Sequence, residues 1–139
     1  MPERRTLNGP EAEELLRRAT EAREHAVAPY SRFRVGAALL AADGVVYKGC
    51  NVESATYGLT CCAERTAVFK ALSEGARSFV AVAVVTGEEA PTPPCGACRQ
   101  VLWDQCREIE VICATTAGVV ERRMLSTLYP RPFEFGGPK

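Results

Sequence analysis

Three cysteines and one glutamate stand at spacings that could build a metal-dependent catalytic site. Cys95 and Cys98 are three residues apart, and Cys62 lies earlier in the chain; both places are predicted starts of helices. The positive end of a helix lowers thiol pKa values and favours the thiolates that zinc binds. Because ligands from two helix starts can converge, the pattern predicts one Zn²⁺ held by Cys62, Cys95 and Cys98, with zinc–sulfur distances of about 2.3 Å.

The number of ligands separates a structural zinc site from a catalytic one. A structural site closes its tetrahedron with a fourth protein ligand, whereas three protein ligands leave a position for water. Cys61 is the alternative fourth ligand, but adjacent residues at a helix start point in divergent directions. The trio therefore favours a catalytic zinc ion.

Glu64 follows Cys62 on the same predicted helical turn. There its carboxylate can accept a proton from water at the open metal position and return that proton to a substrate. The plainer alternative is that an acidic side chain only favours the positive helix end. Three thiolates also leave the zinc cluster negatively charged, and Arg65 is the nearest positive charge in sequence to offset it. Its alternative role is that of an exposed helix residue.

The elements around these residues follow from periodicity and turn signals. Asp43 and Gly44 predict a tight hairpin turn in which both residues take positive φ angles. The predicted helices are 11–26, 62–73 and 96–105, with a helical turn at 124–128, and the predicted strands are 34–40, 45–49, 79–85, 110–114 and an edge strand at 119–122. This order predicts an α/β fold with a mixed sheet covered by helices on both faces.

Composition limits the number of domains and the class of partner. A chain of 139 residues with 47% hydrophobic content predicts one domain over residues 1–139, with a core of about 11–129 and an extended tail at 130–139. Seventeen basic and seventeen acidic side chains cancel, which argues against nucleic-acid binding and favours a small, weakly charged partner.

Apolar runs and the number of cysteines indicate where in the cell the protein is expected to be. No run approaches the roughly 20 apolar residues that span a bilayer, so no membrane association is expected. Seven cysteines are an odd number, and the charged N-terminus does not look like a signal peptide. These features argue against a disulfide framework and predict a cytoplasmic protein whose clustered cysteines bind metal.

Four motifs in order resemble the small, zinc-dependent cytidine deaminases of pyrimidine salvage. Cys-Ala-Glu followed by Pro-Cys-Gly-Ala-Cys matches the nucleobase deaminase signature in its all-cysteine version. The motifs are residues 29–38 (Pro-Tyr-Ser-Arg-Phe-Arg-Val-Gly-Ala-Ala), 49–53 (Gly-Cys-Asn-Val-Glu), 62–67 (Cys-Ala-Glu-Arg-Thr-Ala) and 95–102 (Cys-Gly-Ala-Cys-Arg-Gln-Val-Leu). The resemblance spans residues from about 11 to 135.

This resemblance implies a cytidine deaminase fold with a five-stranded mixed sheet in an α/β/α arrangement, assembled as a homotetramer with shared sites. It implies that Asn51 and Glu53 hydrogen-bond the ribose hydroxyls, that Phe33 packs on the pyrimidine, and that the Ala63 and Cys95 backbones hold the base edge. The positions that would complete a neighbouring subunit's pocket are Tyr30, Ala55, Tyr57 and Phe133. Phe135 is a second candidate for the last of these.

Spacing agrees with part of this assignment. Asn51 and Glu53 are two residues apart, so on an extended segment both side chains face one side, as a pair gripping two hydroxyls requires. Such a pair is also common on a solvated strand face. Phe33 taken alone is more often a core residue than a platform for a ligand.

The predicted reaction is hydrolytic deamination of cytidine or 2′-deoxycytidine, with Glu64 moving protons to N3 and to the departing ammonia. Four alternatives remain at the level of sequence. A deaminase of single-stranded nucleic acid or of aminonucleosides would share the zinc chemistry, and a zinc-binding interaction module would lack catalysis. A thioredoxin-like redox protein would use Cys95 and Cys98 but would need neither Cys62 nor Glu64.

Overall fold

A computed structural model describes residues 5–136. Residues 1–4 and 137–139, the ends of the predicted domain and tail, lie outside the described part. The helices are α1 (Gly9–Arg23), α2 (Ala63–Ser73), α3 (Gly96–Cys106) and α4 (Leu125–Leu128), and the strands are β1 (Val35–Ala41), β2 (Val46–Cys50), β3 (Phe79–Thr86), β4 (Glu110–Thr115) and β5 (Val120–Met124). A single 3-10 turn, Tyr57–Leu59, precedes α2.

The five strands form one mixed sheet in the order β2-β1-β3-β4-β5. The β3–β4 pair is parallel, whereas β1 runs antiparallel to both β2 and β3, and β5 runs antiparallel to β4. Helix α2 leads from β2 across β1 to β3, and α3 leads from β3 to β4. The predicted mixed sheet, its front hairpin and its two helical crossovers are confirmed.

Alternate residues of the central strands pack into two separate cores. On one face, Ala38, Ala83 and Ile112 pack against α1. On the other face, Leu39, Val82 and Val111 pack with residues of α2 and α3. Successive strand side chains point to opposite faces, so one apolar run serves both layers. The molecule is therefore a three-layer α/β/α sandwich, as the sequence predicted.

Several element boundaries differ from the predicted ones by one to three residues. Helix α1 begins at Gly9 because Asn8 and Glu11 form a reciprocal capping box, with Pro10 in the first turn. It ends at Arg23 rather than at residue 26, since the amides of His25 and Ala26 turn back to the carbonyls three residues earlier. The strand ends shift because ladder pairing, rather than composition, decides them.

The hairpin turn follows the prediction in place but not in detail. Gly44 has a φ of +92°, whereas Asp43 is not among the residues with positive φ. The Asp43 carboxylate instead accepts a hydrogen bond from the Val45 amide at 3.1 Å. Asp43 therefore acts through its side chain, as Asx turns do, and only the glycine supplies the left-handed conformation.

Two glycines allow helices to approach the sheet. A Cβ on Gly36 would lie 2.0 Å from the Ala19 carbonyl oxygen of α1. A Cβ on Gly49 would lie 2.5 Å from both the Ala63 carbonyl oxygen and the Ala67 amide nitrogen of α2. Because the start of α2 carries Cys62 and Glu64, Gly49 sets how closely these side chains approach the sheet.

We expect Gly49→Ala to lower the free energy of unfolding by about 1–3 kcal/mol, because backbone atoms of α2 must move to accept the methyl group. Urea unfolding of the zinc-loaded protein measures the change. Gly9→Ala is the matched control, since nothing lies within 4 Å of the added atom, and it should stay within about 0.5 kcal/mol of wild type. Equal stability of the two variants would contradict the close approach of α2.

Candidate active site

One end of the sheet gathers the predicted functional segments. β1 starts at this end, where Val35 pairs with Thr86, and β2 finishes there, where Cys50 pairs with Gly36. Helices α2 and α3 both begin at the same end, after the loops that leave β2 and β3. In α/β sheets ligands bind at such strand ends, where loops and helix starts meet.

The three predicted cysteines meet at the two helix starts. Cys62 is the N-cap residue of α2, and Cys95 is that of α3, but neither side chain caps its helix by a hydrogen bond. The sulfurs of Cys62 and Cys95 are 3.8 Å apart, and those of Cys95 and Cys98 are 3.5 Å apart. All three sulfurs lie within 4.8 Å of one another and form a cluster able to hold a metal ion.

This geometry fits zinc. A tetrahedron with zinc–sulfur distances of about 2.3 Å places its sulfurs about 3.8 Å apart, close to the observed separations. Within residues 5–136, Cys61 does not belong to this cluster. Its sulfur instead accepts a hydrogen bond from the Thr66 hydroxyl at 3.5 Å. The donor set is therefore a trio of thiols, which suits a metal with an open position.

The thiols differ in how readily they ionise. Its hydrogen bond with Cys98 lowers the pKa of Cys62 to about 5, and Arg65 adds to the effect. The same hydrogen bond, together with burial, raises the pKa of Cys98. Because zinc binds thiolates, loading the site must displace the proton held at Cys98, which makes metal binding dependent on pH.

Glu64 lies on the first turn of α2 and is only 5% exposed. Burial raises the pKa of its carboxyl to about 7, and the neighbouring Cys62 thiolate acts in the same direction. The carboxyl lines a cavity of about 230 Å³ together with Cys62 and Cys95. A buried acid that faces a cavity beside a metal cluster can exchange protons with a bound molecule.

Arg65 contacts the sulfur cluster, as predicted. Its Nη2 atom donates to the Cys62 sulfur at 3.3 Å and lies 3.5 Å from the Thr60 carbonyl oxygen. The contact with Cys62 raises the pKa of the guanidinium, so Arg65 keeps its positive charge. Among the described residues, its buried Nε atom has no hydrogen-bond partner. The guanidinium thus offsets negative charge on the cluster at close range.

The cavity contains every residue predicted to bind substrate. Phe33, Asn51, Glu53 and Ala63 line it beside the cluster. Asn51 is 7% exposed, and its side chain accepts from the Val35 amide at 2.9 Å and donates to the Phe33 carbonyl at 2.7 Å. These bonds fix the amide and leave one N–H free for a ligand.

Six further residues line this cavity and were not predicted from the sequence: Val35, Thr60, Val84, Thr86, Thr92 and Pro93. The hydroxyls of Thr86 and Thr92 lie 3.4 Å apart. Thr86 is the polar end of an apolar strand, and Thr92 lies in the proline-rich segment before Cys95. Those two signals were present in the sequence, but only the fold shows that the threonines share a wall.

A second, more open cavity of about 360 Å³ adjoins the first and shares Glu53 and Thr60 with it. Tyr30 and Tyr57 line it, and Tyr57 is 78% exposed. The other residues predicted to serve a neighbouring subunit do not line either cavity. Ala55, Phe133 and Phe135 are exposed, and the Phe133 carbonyl accepts from Gln100 at 2.8 Å.

The cysteines outside the trio are free thiols with different degrees of burial. Cys113 is buried in β4 and Cys106 packs against the core, whereas Cys50 and Cys61 are half-buried. Burial raises the pKa of Cys113 to about 12 and that of Cys106 to about 12. The prediction that these thiols are buried side chains holds fully for Cys113 and partly for the others.

The raised pKa of Cys113 should make stability fall at alkaline pH. In the unfolded chain this thiol ionises near pH 9, whereas in the folded state it keeps its proton to about pH 12. The unfolded state therefore binds fewer protons above pH 9, and folding stability declines there. Between pH 7.5 and 10 the wild type should lose about 1.4 kcal/mol more than Cys113→Val in urea unfolding. Identical pH slopes for the two proteins would contradict the buried thiol.

Within residues 5–136, no helix has both the length and the apolar character that crossing a membrane requires.

Comparisons with known proteins agree with this site. The sequence profile of the cytidine and deoxycytidylate deaminase zinc-binding region matches residues 10–115. The cytidine deaminase of Halalkalibacterium halodurans is 52% identical over 86% of this chain and 91% of its own length. That of Sporosarcina psychrophila is 49% identical over 88% of this chain and 91% of its own length.

A solved structure shares the fold as well as the sequence. The crystal structure of cytidine deaminase from Burkholderia pseudomallei superposes with a TM-score of 0.85 at 48% identity, covering 87% of this chain and 98% of that one. Fold, zinc-binding region and relatives of similar length agree, so the chain belongs to the cytidine and deoxycytidylate deaminase family.

Proposed function

We propose that this protein is a zinc-dependent cytidine deaminase. It hydrolyses cytidine or 2′-deoxycytidine to uridine or 2′-deoxyuridine and releases ammonia. The observation that carries the proposal is the meeting of three cysteine sulfurs, at separations that fit zinc, with one buried carboxylate in a cavity of about 230 Å³.

Cys62, Cys95 and Cys98 hold the zinc ion in this proposal. When bound, zinc supplies a Lewis-acidic centre with an open position that lowers the pKa of water. Arg65 donates to the Cys62 sulfur and keeps that thiolate in place. Its positive charge reduces the negative charge of the cluster, which otherwise opposes the ionisation of water.

Glu64 moves the protons of the reaction. Water adds to C4 of cytosine as Glu64 accepts its proton, and Glu64 delivers that proton to N3 of the ring. The second proton of the water then passes through Glu64 to the amino group at C4, which leaves as ammonia when the C4–N bond breaks. One water is consumed, one ammonia is released, and C4 becomes a carbonyl, so atoms and protons balance. Burial keeps bulk water away from this exchange.

The remaining lining residues bind the nucleoside. Asn51 offers its free N–H and Glu53 its carboxylate to the ribose hydroxyls, while the Phe33 ring packs on the pyrimidine. The backbones of Ala63 and Cys95, at the two helix starts, hold the polar edge of the base. This division places the sugar at the open end of the cavity and the base at the cluster.

The proposed assembly is a homotetramer with shared sites, acting in pyrimidine salvage in the cytoplasm. Exposed apolar side chains around the second cavity support a subunit contact there, since such patches are often interfaces. In this assembly a neighbouring subunit completes each pocket through its copies of Tyr30, Ala55, Tyr57 and Phe133, with Phe135 as the alternative to the last. Light scattering and the activity of interface variants test this part.

Turnover of free nucleosides tests the function directly. Cytidine, 2′-deoxycytidine and a cytosine-bearing single-stranded oligonucleotide are incubated with the protein, while released ammonia and bound zinc are measured on the same sample. We expect ammonia from both nucleosides, none from the oligonucleotide, and one zinc per chain. Turnover of the oligonucleotide alone would favour a nucleic-acid deaminase, and zinc without ammonia would favour a non-catalytic module.

A further inference from the structure

Ser31 connects residues that the proposed function places around the sugar and the base. Its hydroxyl donates to Oε2 of Glu53 and accepts from the Phe33 amide, whose nitrogen lies 3.0 Å away. Arg32, between Ser31 and Phe33, has a φ of +62°, which turns the chain so that one hydroxyl can reach both partners. Ser31 therefore ties the Glu53 carboxylate to the backbone of Phe33.

The Glu53 carboxylate is held by three donors. Its Oε1 atom accepts from the amides of Tyr30 at 2.9 Å and Ser31 at 3.1 Å, and its Oε2 atom accepts from the Ser31 hydroxyl. A carboxylate has about four lone-pair sites, so about one acceptor position remains. Because Glu53 lines both cavities, that position is available to a ligand hydroxyl.

Among the described contacts, only the Ser31 hydroxyl binds Oε2 of Glu53. Both backbone amides bind Oε1, so without the hydroxyl the carboxylate could pivot on these two hydrogen bonds and swing Oε2 away. The hydrogen bond from Ser31 is also the largest cause of the lowered pKa of Glu53, which keeps the group ionised as an acceptor. The side chain of residue 31 thus holds the orientation of the Glu53 carboxylate and favours its ionised form.

We propose that Ser31 is a positioning residue that aims the free lone pair of Glu53 at a hydroxyl of the substrate sugar. The inference rests on the proposed function and deepens it, because nucleoside binding then depends on a residue that need not touch the nucleoside. A side chain with no hydroxyl leaves Glu53 charged but misdirected.

The test compares Ser31→Ala with wild type on cytidine and on 2′,3′-dideoxycytidine, whose sugar has no hydroxyl at C2′ or C3′. For cytidine we expect kcat/KM to fall about tenfold, mainly through KM, since the hydrogen bond from the sugar hydroxyl to the charged Glu53 carboxylate is lost. For dideoxycytidine the kcat/KM values of the two proteins should agree within about twofold, because this substrate offers Glu53 no ring hydroxyl to bind. Equal losses on both substrates, or no loss on cytidine, would overturn the proposal.

A double-mutant cycle gives the same answer from cytidine alone. Ser31→Ala should have no further effect on kcat/KM in a Glu53→Ala background, whereas an independent structural role would make the two losses multiply. Ser31→Thr keeps the hydroxyl and should retain near-normal kcat/KM, and Ser73→Ala, an exposed serine of α2, is the control. If wild type itself does not deaminate cytidine, the proposed function fails and not merely the role of Ser31.

Discussion

Glu64→Gln should lower kcat for cytidine by about 10³-fold or more while the protein still binds one zinc per chain. Glutamine has nearly the same shape as glutamate but cannot accept a proton and deliver it to N3 or to the leaving amino group. Glu64 is buried at the cavity wall beside Cys62. Among the described residues, Glu53 is the only other carboxylate that lines this cavity. Steady-state kinetics with metal analysis on the same sample measures both quantities.

Glu89→Gln is the control for this experiment. Glu89 is exposed in the loop between β3 and α3, so its substitution removes a charge from the surface without touching the cavity. Its kcat should remain within about twofold of wild type, since exposed charges contribute little. Near-normal kcat in Glu64→Gln would refute the proton-transfer role, and loss of zinc in that variant would point to a structural role.

Cys98→Ala should abolish zinc binding and activity together and should destabilise the fold. Cys98 is completely buried between the two helix starts, and its loss leaves two thiols that cannot hold zinc tightly. A ligand that binds only the folded state stabilises it by about 4 kcal/mol at a thousandfold excess over its Kd, and this contribution disappears in the variant. Thermal unfolding with and without a chelator measures the loss.

Cys50→Ala is the matched control, because Cys50 is a half-buried thiol outside the cluster. It should keep one zinc per chain and should remain sensitive to the chelator, whereas Cys98→Ala should unfold at the same temperature with or without the chelator. A chelator effect of equal size on Cys98→Ala would mean that zinc is held elsewhere, and the assignment of the trio would then be wrong.

Local signals in the sequence predicted the elements well because each has a nearby physical cause. The apolar run in β3, for example, acts within a few positions. The strand ends differ from the predicted ones because pairing with another strand decides them. Val27, which follows the predicted end of α1, forms a bridge with Val52 that local signals do not reveal, because β-bridges join residues far apart in sequence.

The residues of the cavity wall likewise divide into those that local sequence signals predict and those that only the fold brings together. Cys62, Glu64, Cys95 and Cys98 were found because their residue types and short spacings already imply chemistry. Thr86 and Thr92 were missed because threonines are common, and their meaning comes only from facing one cavity. The link from Ser31 to Glu53 was also invisible, since it joins residues of two separate segments.

The sequence by itself determined the donor set, the acid beside it, the order of helices and strands, and the family that these motifs resemble. Only the tertiary structure decided that the trio closes to zinc-like separations, that Glu64 is buried at the cavity, and which hydrogen bonds hold Asn51 and Glu53 in place. The physical reason is that residue types and local spacing specify which chemistry is possible, whereas distances and desolvation arise when segments far apart in the chain pack together.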